Sequence, residues 1–250
     1  MPQTRWVQEP VDAAGGGGHD LPPITSLEVS YRTSPGLIGS VVPPPLVAAD
    51  DALVHLRFTD IDLDFGSFRW QEHVGWFGVD VTYGGLRGEY PLLIPIDVEK
   101  AVAISRERHG EPKKLADITI EREGDDVRAS MTRQGVTFAE VVGTVTGALD
   151  VPPAYETRQF WFKFMPAVSG RGFDGDVLLV QVDQTRTPVS VESVDAKVVL
   201  RDLPSAPLAD LPVVEVVSCV WTSRRATTAP RVVGPVDPVA FEPFAAARYD

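Results

Sequence analysis

Gly110-Glu111-Pro112-Lys113-Lys114-Leu115 sets two lysines side by side in a chain that has only five, the others being Lys100, Lys163 and Lys197. The 23 basic residues are otherwise arginine. An arginine serves as well as a lysine for a solvated positive charge, but only lysine can shed its proton near neutral pH and attack a carbonyl carbon. A Gly/Pro turn signal precedes the pair, and the apolar run Leu115-Ala116-Asp117-Ile118-Thr119-Ile120 follows it as a strand. Side chains alternate along a strand, so Lys113 and Lys114 are predicted on opposite faces, with room for one of them inside.

A buried lysine must be neutral or paired. Lowering a lysine from about 10.4 to about 7 costs its ammonium form roughly 4 to 5 kcal/mol. A second amine about 10 Å away supplies under about 2 kcal/mol at an effective dielectric of about 20, whereas burial alone supplies about 3 to 5 units. Burial is therefore predicted to dominate, with Lys114 assisting. The competing reading, two solvated lysines beside a turn, stands on spacing alone.

Outward from this segment the pattern is strand after strand. Leu27 to Tyr31, Leu53 to Phe65, Val127 to Arg133, Val136 to Val145, Phe160 to Met165, Asp176 to Asp183, Ser190 to Leu200 and Val213 to Trp221 are β-branched or alternating runs broken by Gly, Pro and Asp. Ser34-Pro35-Gly36 starts a turn or short helix, Val41 to Leu46 reads as extended, and Asp97 is placed as the cap of a short helix leading to Glu107. The fold class predicted is mainly β, a barrel or sandwich with few short helices. Residues 1 to 20, with Gly15-Gly16-Gly17-Gly18, read as a flexible arm, residues 21 to 250 as a single domain, and residues from about 230 onward as surface cover.

A net charge of -12 argues against tracking nucleic-acid phosphates or binding an anionic membrane. No secretory signal and no run of about 20 apolar residues is present, so the cytoplasm is the default. Cys219, the only cysteine, reads as a small core residue. His19, His55 and His73 share no metal-ligand spacing, and no nucleotide-binding loop is found. Asp60, Asp62 and Asp64 fall on one strand face, but a calcium loop needs Gly directly after the third acid and Glu at position 12, where this chain has Phe65 and Gln71.

Ser105-Arg106-Glu107-Arg108-His109-Gly110-Glu111-Pro112-Lys113-Lys114-Leu115 resembles the signature of the acetoacetate decarboxylase family, G-R-E, a spacer, then P-K-K-L. The similarity extends over roughly residues 27 to 235 through Tyr31-Arg32-Thr33, Val41 to Leu46, Gly88-Glu89-Tyr90, Lys163-Phe164-Met165-Pro166 and Asp210 to Glu215. The resemblance implies a cofactor-independent lyase in which Lys113 forms a Schiff base with a keto acid, and a homo-oligomer. Acetoacetate decarboxylase is itself a standard example of a lysine activated by desolvation or a cationic neighbour. Lys163 falls in a framework motif and ranks below Lys113.

On residues alone Glu72 reads as a surface-loop carboxylate. The resemblance puts it at an acid of the decarboxylase site, where Trp70 and Trp76 would desolvate it. His109 is a candidate assistant, set against a solvated turn histidine, while Arg106 and Glu107 are expected to form structural ion pairs. Two departures stand out: Ile24 falls where the family has a substrate-holding arginine, and Arg57 falls at another of its acids. That puts acetoacetate itself in doubt and leaves Arg57 or Arg32 as binders of a differently placed carboxylate. Decarboxylation of a β-keto acid is the first reading. A pyruvate-using aldolase-dehydratase and a non-catalytic ligand-binding barrel are the alternatives.

Overall fold

The computed structural model describes residues 23–64 and 69–249, with side chains at all of these except 63, 64, 69 and 70. The expected arm, residues 1 to 20, lies outside the described residues. In chain order the elements are β1 (Ile24–Arg32), α1 (Pro35–Val41), β2 (Val47–Ala48), β3 (Val54–Asp64), β4 (Arg69–Tyr83), β5 (Leu86–Ile96) and α2 (Glu99–His109). They are followed by β6 (Lys113–Leu115), β7 (Asp117–Glu123), β8 (Asp126–Arg133), β9 (Val136–Ala148), β10 (Tyr155–Lys163), β11 (Leu178–Leu200), β12 (Glu215–Pro235) and α3 (Pro238–Ala245). The fold is mainly β with few helices, as predicted. None of the described helices is long and apolar enough to cross a membrane.

The strands lie in the order β10-β5-β4-β3-β1-β12-β11-β9-β8-β7, and an additional β10–β11 pairing closes the first seven into a ring. Period-2 alternation explains why. Leu27, Val29 and Tyr31 on β1, Leu56 and Phe58 on β3, and Phe77 and Val79 on β4 are all buried on one face. They join one core with Met131 and Phe138 from β8 and β9. Burying each such side chain contributes roughly 1.5 to 3 kcal/mol. The opposite face of the same strands lines a cavity.

Turn chemistry sets the register. Arg133 pairs with Val136 across a two-residue loop in which Gln134 (φ 52°) and Gly135 (φ 78°) both take left-handed backbone, the type I′ geometry that matches strand twist. Several sequence expectations change. Val41 to Leu46 is the end of α1 followed by a turn with a cis Pro44–Pro45 bond, closed by the Leu46 N–H on the Pro43 carbonyl at 3.1 Å, so it is not extended. Asp97 does not cap α2; its carboxylate accepts from the His73 backbone N–H at 2.9 Å and pairs with His73 Nδ1 at 2.7 Å.

The runs 176 to 183 and 190 to 200 belong to one 23-residue strand, β11, with a register shift between Pro188 and Ser190. A bulge tolerates a proline that would otherwise break the ladder. Likewise the chain after residue 230 continues β12 to Pro235 and then buries Phe241 of α3 in the core, rather than only covering the surface. The run after Lys114 is broken at Ala116: β6 adds to β5, and β7 pairs β8.

Candidate active site

Helix α2 ends at Gly110, whose left-handed backbone (φ 83°) lets its N–H reach the carbonyls of Ser105 and Arg106 at 3.0 and 3.1 Å. A Cβ there would stand 2.6 Å from both Lys163 Cα and Phe162 O, so only glycine lets this turn press against β10. Beyond Pro112 the Lys113 N–H donates to the Glu111 carbonyl at 2.8 Å, and β6 settles parallel to β5 with Lys113 beside Ile94. Alternation then sends the two lysines apart.

Lys113 is 9% exposed and lines a cavity of about 330 Å³. Its Nζ lies 3.1 Å from Glu111 Oε2 and donates to Ser105 Oγ at 3.0 Å. Lys114 Nζ points the other way and donates to the carbonyls of Ser205 (2.8 Å) and Ala247 (2.7 Å). It does not line the Lys113 cavity, so any help it gives Lys113 acts through the electric field and not by contact.

Three alternate residues of β4, Glu72, Val74 and Trp76, face the cavity. Glu72 is 7% exposed in the interior of a 15-residue strand, so the surface-loop reading is corrected. The Trp70 side chain expected beside it lies outside the described residues. His109, at the end of α2, sits edge-on to Trp161 with ring centroids 6.3 Å apart. Burial pushes the His109 imidazole below its ordinary value of 6.5, favouring the uncharged ring.

A buried charge cluster forms the base of this face. Both Arg57 Nη atoms donate to the Glu89 carboxylate (2.7 and 2.5 Å), and Arg57 Nε lies 3.3 Å from Glu28 Oε2. Glu28 also accepts from Arg224, which donates to Ser26 Oγ at 3.0 Å. Burial pushes the Glu89 carboxyl up, but the Arg57 guanidinium, followed by His55, outweighs it and holds Glu89 down at about 2. Glu28 is held low in the same way, with Arg224 and Arg57 overriding its burial.

The fold thus brings Lys113, Glu72, His109 and Arg57 to one cavity, with Ile24 on its wall. Arg32 is not among them: it is exposed on the surface and pairs with Glu215 at 3.1 Å, which corrects its expected role as a carboxylate binder. Lys163 does not line this cavity either. Arg106 lies over the Tyr249 ring (4.8 Å), and among the described residues it forms no ion pair of the kind expected. Sequence reasoning missed Ser105, Glu111, Trp161, Arg186 and Arg224. Glu111 carried a usable signal only in its nearness along the chain, two residues before Lys113 and held to it by a three-residue turn through Pro112.

Comparison with known proteins agrees with this architecture. The family model described as acetoacetate decarboxylase matches residues 8–235. An acetoacetate decarboxylase of Burkholderia vietnamiensis is 29% identical over 201 residues, covering 76% of this chain and 77% of the relative. A structure described as acetoacetate decarboxylase superposes with a TM-score of 0.74 at 21% identity, covering 86% of this chain and 88% of that one. The enduracididine biosynthesis enzyme MppR, solved with the condensation product of pyruvate and imidazole 4-carboxaldehyde, gives 0.71 at 17% identity, covering 90% and 95%. Matched along most of its length by the family model, this chain belongs to the acetoacetate decarboxylase family.

Proposed function

We propose that this protein is a cofactor-independent lyase that forms an imine between Lys113 and a keto acid and releases carbon dioxide from a β-keto acid. The observation that carries the reading is the enclosed Lys113 Nζ with Glu111 Oε2 at 3.1 Å, a nucleophile beside a proton acceptor. Glu111 takes a proton from the ammonium, and the free amine adds to the ketone carbon. Glu111 returns that proton to the departing hydroxyl, and loss of water leaves a protonated imine. The bond to the carboxylate then breaks, its electron pair flows to the imine nitrogen, and carbon dioxide departs. Glu72 delivers a proton to the resulting enamine carbon, and water hydrolyses the product imine to release a ketone and restore the amine. Family membership supports the same reading.

Borohydride reduction in the presence of acetoacetate, followed by intact mass and peptide mapping, tests it. The expected result is one adduct, on Lys113, absent from Lys113→Met. An adduct on any other lysine overturns the assignment. A second reading is favoured by Ile24 on the cavity wall, where the family resemblance places a substrate-holding arginine, and by the fold shared with MppR. In it the enamine of pyruvate attacks an aldehyde and water is then lost. Carbon dioxide release from acetoacetate, against consumption of aldehyde with pyruvate, separates the two.

A further inference from the structure

Arg57 already has its charge met by two carboxylates: Glu89 accepts from both its Nη atoms and Glu28 sits against its Nε. Arg186 is different. It is 5% exposed, lines the same cavity, and among the described residues only Gln184 Oε1 accepts from its guanidinium, at 3.2 and 3.4 Å. No carboxylate lies within ion-pairing distance of it among the described residues. Three guanidiniums, Arg57, Arg186 and Arg224, thus share two carboxylates, Glu28 and Glu89. The other charges on this cavity are Lys113 with its partner Glu111, and Glu72 on β4.

Three further residues that line it, Arg224, Trp161 and Trp76, hold the sealed-off donors Nε, Nε1 and Nε1, which have no acceptor among the described residues. Each buried orphan costs about 1 to 3 kcal/mol, and such groups call for an explanation. A carboxylate offers about four lone-pair sites and the negative charge that a surplus guanidinium selects.

We propose that Arg186 is the carboxylate-binding end of this cavity. Its wall comes from β10, β11 and β12, none of which pairs with β6. The ligand is an organic acid whose carboxylate docks there while its carbonyl meets Lys113; the keto-acid identity rests on the imine-forming reading, but carboxylate binding does not. The site replaces the arginine that Ile24 displaces.

Butyrate and butyramide share a shape and differ in charge, and neither carries a ketone for Lys113 to attack. Calorimetric titration of the full chain is expected to show butyrate binding at least about tenfold more tightly than butyramide, a difference of about 1.4 kcal/mol. Arg186→Met erases that preference, Arg186→Lys keeps part of it because a point charge lacks the planar fork, and Lys113→Met leaves it intact. Equal affinity for the two ligands, or an undiminished preference in both Arg186 variants, overturns the proposal. So does a preference that disappears in Lys113→Met and survives in Arg186→Lys. Lack of borohydride trapping with acetoacetate sinks the lyase reading instead, with the carboxylate site standing or falling on the titration alone.

Discussion

Strands β1, β3 and β4 carry two faces of opposite chemistry on one backbone. On one side Leu27, Val29, Leu56, Phe58, Phe77 and Val79 pack into the main core. On the other, Glu28, Arg57, Glu72 and Trp76 surround the cavity or its charged base. The difference shows how a protein can keep charges dry. Each buried ion costs several kcal/mol after relaxation and is tolerated only when paired and hydrogen-bonded, and the apolar face supplies the stability that offsets the remainder. Lys113 and Lys114 repeat the contrast in miniature, one amine offered to the cavity and the other used up on two carbonyls.

That miniature gives the largest expected effect. Lys113→Met is predicted to lower kcat/KM by on the order of 10⁴-fold or more, as for loss of a nucleophile, with little change in Tm. Lys114→Met is predicted to do the reverse. It strands the carbonyls of Ser205 and Ala247, lowers stability by about 2 to 4 kcal/mol, and leaves borohydride trapping at Lys113 intact. Thermal melts run beside trapping assays read both. If Lys114→Met abolishes trapping in a folded protein, the two lysines are not separate in function.

The next effect breaks the charged face. Arg57→Met leaves Glu28 and Glu89 buried without their shared partner and is predicted to cost about 3 to 5 kcal/mol in urea denaturation. Replacing Arg57 and Glu89 together by apolar residues of similar volume should recover part of that loss. The same cluster sets acid sensitivity. Glu89 has a carboxyl lowered from 4.5 to about 2 by folding. A depressed carboxylate stabilises fully above its unfolded value and loses that contribution as pH falls through the folded one. About 3 kcal/mol should therefore disappear between about pH 4.5 and 2. Glu89→Gln should flatten stability across that window. An unchanged slope would place the acid sensitivity elsewhere.

The apolar face was far more legible in the sequence than the charged one. Alternation identified the strands, and parity the opposite directions of Lys113 and Lys114. Each of these signals lies within a few residues. The lengths of β11 and β12 were not legible, because Pro188 reads as a strand end unless a bulge absorbs it. Arg186 and Arg224 reach the Lys113 cavity from strands more than 70 residues further along the chain, and nothing local marks them. Arg32 was the converse case: an arginine in a family-like motif that the fold turns outward onto Glu215. Pairing between distant strands decides such matters, and a single sequence does not record it.

The smallest predicted effect tests whether the two faces are independent. Gly75 of β4 sits one residue before Trp76 and faces the core, where a Cβ would fall 2.4 Å from Met131 Cε and 2.7 Å from its Sδ. The obstruction is the far end of a flexible thioether, which can swing aside more cheaply than backbone. Pro95 Cδ, at 3.1 Å, must also give slightly. Gly75→Ala should therefore cost about 1 to 2 kcal/mol from overpacking, and Met131→Ala in the same chain should relieve the clash while introducing its own cavity. Because the added methyl points away from Glu72 and Lys113, KM and kcat should stay within about twofold of the parent. A tenfold fall in kcat at unchanged KM would mean that strain on the core face passes through β4 to Trp76 and the reacting groups, and the two faces would then form one mechanical unit.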